Sequence, residues 1–327
     1  MKNGEFEEGT IIKGKSLKGY ILCKILSEDL VMRDFQYKMG LNEDVNQLAT
    51  EGSCQASLHF CLIKDVCWFL NYGTKLAVVS VPDDEEVYVD NFQFRTHRLE
   101  IQKIMPLRET ATWEYLHEHK ADITAFDNYA VRWAAENGHL EVVKYLHENG
   151  ADITVDDNYA VRAASRYGYL DVVKYLYENR ADITAEDNYA VRAASRYGHL
   201  EMVKYLHEHG ADITAKDNDA VKGAAIYGYL EIVKYLYEHG ADITAQDNYA
   251  VRMASKFGNL EVVKYLYENG ADITADCNSA IRLAAENDHL EVFKYLQEHG
   301  ADDNYAMRYA FQNGAGNVFQ YLWEKMI

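Results

Sequence analysis

A thirty-residue period recurs without insertion for most of this chain of 327 residues, and it constrains the fold more than any other feature. Self-similarity at this spacing marks a stacked array, because each repeat is one supersecondary element that cannot bury its apolar face alone. The tripeptide GAD marks the period at Gly150, Gly210, Gly240, Gly270 and Gly300, while Lys120 and Arg180 replace the glycine in two copies. The repeat that starts at Asp127 reads DNYAVRWAAENGHLEVVKYLHENGADITVD, and its neighbours differ at a handful of sites.

Each repeat carries the signals of two helices and a connector. Asp127 or Asn128 is expected to cap the first helix, since a short side-chain oxygen accepts from a free amide of the first turn. Val131, Ala134 and Ala135 then form an apolar stripe at helical spacing, and Gly138 ends the helix. In the second helix, from about Leu140, Leu140, Val143 and Leu146 share a face with Val142 beside them. Glu141, Lys144 and Glu148 pair on the other face. Gly150 closes that helix, and ADIT suits an extended crossover. The small pair Ala134/Ala135 reappears as Ala163/Ala164, Ala193/Ala194, Ala224/Ala225 and Ala284/Ala285, which lets helices approach closely. Both prolines, Pro82 and Pro106, precede the periodic region.

The run AAENGHLEVVKYLHENGAD resembles the ankyrin repeat, with its alanine pair, GH turn, LEVVKYL second helix and GAD exit. YAVR stands where the usual repeat has TPLH. Each repeat is about three residues shorter than the common length, and the loss falls in the hairpin finger between repeats. Short fingers with the DNYAVR signature resemble the ankyrin proteins of giant DNA viruses of the mimivirus-like type, which infect amoebae. The resemblance covers roughly residues 107–327. It implies a mostly α protein, an ankyrin-repeat α-solenoid preceded by a small α+β domain at 1–106. The expected divisions are a degenerate cap at 107–126, six full repeats over about 127–303, and a C-terminal cap over about 304–327 that lacks the ITAx tetrapeptide.

Residues 1–106 show no such period. They predict a strand around Leu58–Cys61, a helix from Lys64 to Leu70, a strand at Lys75–Val81 ended by Pro82, and a strand pair at Glu86–Val89 and Phe92–Arg95. DFQYKMGLN, SLHF, VCWFLNYG and AVVSVP together resemble a domain found ahead of the repeats in those viral proteins. The SLHF strand and the amphipathic helix after it are also faintly similar to the nicotinamide pocket of ADP-ribosyltransferases. That similarity is the alternative in which an N-terminal transferase receives substrate from the repeats. A docking domain is the preferred reading, and a virion or scaffold component is a further alternative.

Composition narrows the chemistry. The net charge is −19, and 12 basic against 16 acidic residues precede position 107, leaving 21 and 36 for the array. Nucleic acid is therefore not the expected ligand, since phosphate-binding surfaces need excess Lys and Arg. The first residues, MKNGEFEEGT, do not have a basic start followed by an apolar run, and no stretch approaches about 18 consecutive apolar residues, so an intracellular protein of the host cytoplasm is expected, not secreted and with no membrane partner; a monomer is expected as well. Cys23, Cys54, Cys61, Cys67 and Cys277 lack paired CxxC spacing. Ten of the twelve histidines, among them His139, His147, His199, His207 and His209, recur at helix ends and read as solvated. No cofactor, metal ligand set, phosphate loop or catalytic centre is expected, and the chain is read as not an enzyme.

Two series remain. Arg132, Arg162, Arg192, Lys222, Arg252, Arg282 and Arg308 hold one position in nearly all repeats and read as a structural ladder. The last two residues of the first helix vary instead, as Glu136/Asn137, Arg166/Tyr167, Arg196/Tyr197, Ile226/Tyr227, Lys256/Phe257 and Glu286/Asn287. In ankyrin arrays these positions tend to face the concave binding surface. The resemblance thus implies protein binding, to a host or viral partner, through a stripe of Arg166, Tyr167, Arg196, Tyr197, Ile226, Tyr227, Lys256 and Phe257.

Overall fold

A computed structural model describes residues 6–32, 35–44, 58–302 and 304–326. The chain divides into two compact units, Met1–Asp156 and Asp157–Ile327.

The first unit opens with the strands β1 (Ile11–Lys13), β2 (Leu22–Leu26), β3 (Val31–Met32), β4 (Phe35–Gln36), β5 (Gly40–Glu43), β6 (Leu58–Leu62), β7 (Lys75–Ser80), β8 (Glu86–Asp90), β9 (Gln93–Thr96) and β10 (Arg98–Pro106). Eight of them form an antiparallel sheet in the order β1-β8-β9-β6-β2-β7-β10-β5, and β3 pairs with β4. Leu22, Leu58, Phe60, Ala77, Val79, Val87, Phe94 and Leu99 meet in one apolar cluster. The sequence reading of this region finds β6, β7, β8 and β9 but misses the others. In β10, RLEIQKIMP, polar residues alternate with Leu99 and Ile101 and a register shift breaks the period. The helix expected from Lys64 is a 3-10 helix over Ile63–Tyr72. Buried Ile63, Val66, Cys67 and Leu70 fit both helix types, because each sets residues three apart on one face.

Helices follow directly within the same unit: α1 (Thr110–Glu118), α2 (Ala125–Glu136) and α3 (Leu140–Glu148). Fully buried Trp113 donates to the Leu107 carbonyl at 2.7 Å, and the Leu107 amide donates to the Thr74 carbonyl at 2.8 Å. Trp68 stacks on Phe92 and meets Phe126 at the start of α2. The sheet and the first helical turns thus share one interior.

The next helices are α4 (Val155–Tyr167), α5 (Leu170–Glu178), α6 (Ala185–Arg196), α7 (Leu200–Glu208), α8 (Ala215–Tyr227), α9 (Leu230–Glu238), α10 (Ala245–Lys256), α11 (Leu260–Glu268), α12 (Ala275–Glu286), α13 (Leu290–Glu298), α14 (Ala306–Asn313) and α15 (Gly316–Met326). The register of the small pair is right at Ala224/Ala225 and Ala284/Ala285 and one residue off at Ala163/Ala164 and Ala193/Ala194, where the pairs are Ala164/Ser165 and Ala194/Ser195. The position of Ala134 holds Ala164, Ala194, Ala224, Ala254 and Ala284, and that of Ala135 holds Ser165, Ser195, Ala225, Ser255 and Ala285, all 0% exposed. Repeats stack on these small side chains because a larger one would hold the helices apart. The second helices carry the expected Glu–Lys pairs, such as Glu201–Lys204 at 2.8 Å.

The entry to each first helix differs from the expected cap. In α6 the regular helical backbone begins after Asn188, at the expected boundary, but a non-helical turn precedes it. Glu186, Asp187 and Asn188 form a left-handed turn with φ of 53°, 53° and 60°, and the same turn recurs at 126–128, 156–158, 216–218, 246–248 and 276–278. Left-handed backbone costs an L-residue roughly 1–2 kcal/mol, least for Asn and Asp, which explains the DN dipeptide. The Asn188 side-chain oxygen accepts from the Asp212 amide of the next connector at 2.8 Å, and this bond repeats at Asn128, Asn158, Asn218, Asn248 and Asn278. The connector itself is a turn, not an extended crossover. The Asp212 carboxylate accepts from the Thr214 amide and hydroxyl at 2.8 and 2.7 Å, a local turn that competes with strand geometry.

Asn218→Ala should lower the urea midpoint of unfolding by an amount equal to about 1–3 kcal/mol, since it removes a bond and keeps the strained φ. Asn218→Gly should cost less, because glycine accepts that φ, and equilibrium unfolding of the two variants checks the order. Asp272 is held below its ordinary carboxylate value of 3.8 by the Thr274 hydroxyl and then the Thr274 amide. Its contribution is therefore present above the ordinary carboxylate range and is lost as pH falls through the depressed value. Asp272→Asn, which keeps an acceptor but cannot titrate, should lose less stability than the parent chain between about pH 5 and pH 2, as melts across that range will read.

Candidate functional site

The variable pairs close the first helices, where a left-handed glycine turns the chain toward the second helix. Gly168, Gly198, Gly228 and Gly258 have φ of 81°, 85°, 79° and 75°. A methyl group on Gly198 would lie 2.6 Å from the Tyr229 ring of the next repeat. Gly168, Gly228 and Gly258 are covered in the same way by His199, Asn259 and His289. His199 Nε2 lies 3.0 Å from the Arg166 carbonyl, and Asn259 donates to the Ala225 and Ile226 carbonyls at 3.0 and 2.8 Å. His199 is therefore not the solvated helix end expected from sequence, because it seals the C-terminal carbonyls of the helix before it. Burial, and then Arg108, lowers the pKa of His139. His207 and His209 do part, one toward the Tyr235 hydroxyl and the other toward the Tyr205 carbonyl.

This seal fixes where the helices end and leaves the two residues before each glycine directed outward. Tyr167, Tyr197, Tyr227 and Phe257 are 45%, 40%, 50% and 51% exposed. The Arg166 guanidinium carbon lies 5.5 Å from the centre of the Tyr167 ring and 5.2 Å from that of Tyr197 in the next repeat. Arg196 stands 5.7 Å from Tyr227, and the Lys256 ammonium 5.6 Å from Phe257. Tyr197 pushes the Arg166 pKa further up, and a hydrogen bond with Tyr227 does the same for Arg196. Both arginines therefore stay charged. The Arg196 stem runs past Gly223, whose added methyl would sit 3.3 Å from the Arg196 Cβ. Ile226 is half-buried beside Tyr227 and contributes an apolar rung. Asn287 folds back instead, donating to the Leu283 carbonyl at 2.9 Å.

Two exposed or half-exposed rings escape the sequence reading. Tyr169 and Tyr229 follow their glycines, each 6.4 Å from the ring of the tyrosine before that glycine. Their signal was the His/Tyr/Asn variation after the glycine, which looks like turn noise until the seal is seen.

The second series, at the YAVR arginine, follows the left-handed turns in the chain and for the most part reaches back to their carbonyls. Arg192 donates to the Asp187 and Glu186 carbonyls at 3.0 and 3.1 Å and to Asp219 of the next repeat at 3.0 Å. Arg132 bonds the Phe126 carbonyl and Asp156, and Arg252 the Gln246 carbonyl and Asp276. Arg162 bonds the Asp157 carbonyl and lies 5.7 Å from both the Tyr159 and Tyr189 rings. Lys222 reaches the Lys216 carbonyl at 3.5 Å, Arg282 contacts Ser279, and Arg308 is exposed.

In the first unit Leu58, His59 and Phe60 of the SLHF segment lie in β6, an interior strand between β9 and β2. Burial pushes the Cys23 and Cys67 thiols up to about 12 and raises Cys61 as well, while Cys277 is exposed and Cys54 lies outside the described residues. Among the described residues no cluster of three or more His, Cys, Asp or Glu could hold a metal ion, and no helix is long and apolar enough to cross a membrane.

A family model described as "Ankyrin repeats" matches in three copies, at residues 108–187, 161–247 and 249–327. Among curated proteins of Acanthamoeba polyphaga mimivirus, "Uncharacterized protein R869" is 33% identical over 39% of this chain and 96% of its own length. "Putative ankyrin repeat protein R868" is 30% identical over 40% of this chain and 68% of its own length. "Putative ankyrin repeat protein R229" is 31% identical over 37% of this chain and 43% of its own.

Gly198→Ala forces a methyl into the Tyr229 ring at a φ that alanine resists. It should cost about 2–4 kcal/mol, more than Gly210→Ala, where the same φ problem arises with open space around the methyl. Paired melts of the two variants separate the steric part from the backbone part.

Proposed function

The chain belongs to the ankyrin-repeat family, and from that premise we propose that it is a non-catalytic module that captures another protein on the concave face of the array. The observation that supports this is the run of exposed Tyr167, Tyr197, Tyr227 and Phe257, ordered by Arg166, Arg196 and Lys256. Aromatic and arginine side chains dominate binding energy at protein interfaces, since they bury large areas and have little rotamer freedom left to lose. Packing does not dictate these residues: flanking repeats place Glu136/Asn137 and Glu286/Asn287 at the same positions. A residue that varies where the fold is constant answers to something outside the fold.

On this reading the arginine series is structural, the partner is a host or viral protein, the working form is a monomer, and the host cytoplasm is its compartment. Residues 1–106 dock or cap the array, which carries the binding.

Combined replacement of Tyr167, Tyr197 and Tyr227 by alanine should reduce capture of the partner from host extract at least tenfold, because each removes an exposed anchor of about 1 kcal/mol or more. Circular dichroism and the melting temperature should stay close to those of the parent chain. Undiminished capture by the triple variant would falsify the stripe as the binding surface.

A further inference from the structure

We infer that the stripe in Asp157–Ile327 takes an extended acidic segment of its partner, with carboxylates repeating about every three residues; this inference rests on the reading of the stripe as a protein-binding surface. Three observations lead to it. First, the charges on the stripe have one sign. Arg166, Arg196 and Lys256 close three of its four first helices, and Ile226 takes that place in the fourth. Elsewhere on the array most basic side chains already have an acidic partner, as in Glu201–Lys204, Glu231–Lys234 and Glu261–Lys264 on the second helices and Arg192–Asp219 beside the turns. A basic last turn suits the helix dipole, but the dipole does not demand it, since Glu286 holds the same place in α12.

Second, the guanidinium groups are held in place. Arg166 lies between Tyr167 and Tyr197, and Arg196 against Tyr227, so part of the rotamer entropy that a free arginine would lose on binding is already spent. The tyrosine hydroxyls take one part of each guanidinium, and a guanidinium has five N–H donors, so enough remain to meet a carboxylate in two parallel hydrogen bonds.

Third, the geometry sets the ligand's period. Stacked helices stand about 8–10 Å apart, and an extended chain advances about 3.3 Å per residue, so each repeat meets about three residues of the partner. The order of rungs then reads acidic at Arg166, acidic at Arg196, apolar at Ile226 and Tyr227, and acidic at Lys256.

The net charge of −19 does not prevent this. At physiological salt, charges more than about 8 Å away are largely screened, whereas a pair in direct contact is screened much less. Tyrosine and arginine also suit single-stranded nucleic acid, but a continuous phosphate backbone would have to pass the uncharged Ile226 rung with no cation to meet it.

The test uses the full chain and three fluorescein-labelled twelve-residue peptides read by anisotropy. They carry the pattern Glu-x-x-Glu-x-x-Leu-x-x-Glu, the same pattern with Lys for Glu, and the same with Ser for Glu, where x is Gly or Ser. A twelve-nucleotide oligothymidylate is the fourth probe. The Glu peptide should bind at least tenfold more tightly than the others and weaken as salt is raised. The double variant Arg166→Glu, Arg196→Glu, whose side chains are exposed, should melt like the parent chain and reverse the preference toward the Lys peptide. Equal or tighter binding of the Lys, Ser or nucleotide probe overturns the acidic assignment. If the tyrosine-to-alanine triple variant still loses partner capture from extract, the protein-binding reading survives that failure. If the Glu peptide binds the parent and the double variant alike, the stripe is not its seat, and the acidic assignment falls.

Discussion

Every repeat has to reverse the chain in a few residues without a long finger, and it does so through a left-handed turn that L-residues resist. Three successive positive φ values at non-glycine positions persist only if the surroundings over-determine them. Each part of DNYAVR serves that end. Asp and Asn tolerate the conformation, the Asn side chain bonds the next connector, and the arginine donates to the carbonyls that the turn leaves open. Arg192 also ties the turn to Asp219 in the following repeat. Local strain is thus offset by contacts between neighbours, so the motif both bends the chain and joins the stack.

The compensations are visible where the motif changes. Lys222 replaces arginine in one repeat and reaches a single turn carbonyl. The tyrosine of that repeat is Asp219, which takes up the guanidinium of the repeat before it. A lysine cannot reproduce the arginine fork, and Asp219 serves the preceding Arg192 as Asp156 and Asp276 serve Arg132 and Arg252.

With helix ends sealed by glycine and the covering His, Tyr or Asn, the positions just before the glycine are released from packing. That freedom explains why acid, base, aromatic and amide side chains all occur there. The same ladder geometry that stacks the repeats spaces these side chains evenly, so a surface with regular rungs is a by-product of stability. In the first unit the logic differs: Trp113 and Leu107 join sheet and helix through buried hydrogen bonds, and the interior is a closed apolar cluster rather than a chain of neighbour contacts.

The period, the two helices of each repeat and the family were legible in the residues, because apolar spacing and small-residue positions are local and repeated. So were β6 to β9, whose apolar runs are bounded by turn residues. The short strands β1 and β5 and the polar-interrupted β10 were not, since their pairing depends on distant partners. Sequence also singled out the variable pairs and the arginine series by comparing repeats with one another. Only tertiary structure decided that Asn128 and its equivalents bond the next connector instead of capping a helix, that His199 seals a neighbour's carbonyls, and that Arg166 lies against a tyrosine thirty-one positions away. Those contacts cross from one repeat to the next. A residue's spacing in its own helix fixes the face it occupies, but what that face meets depends on how the repeats stack.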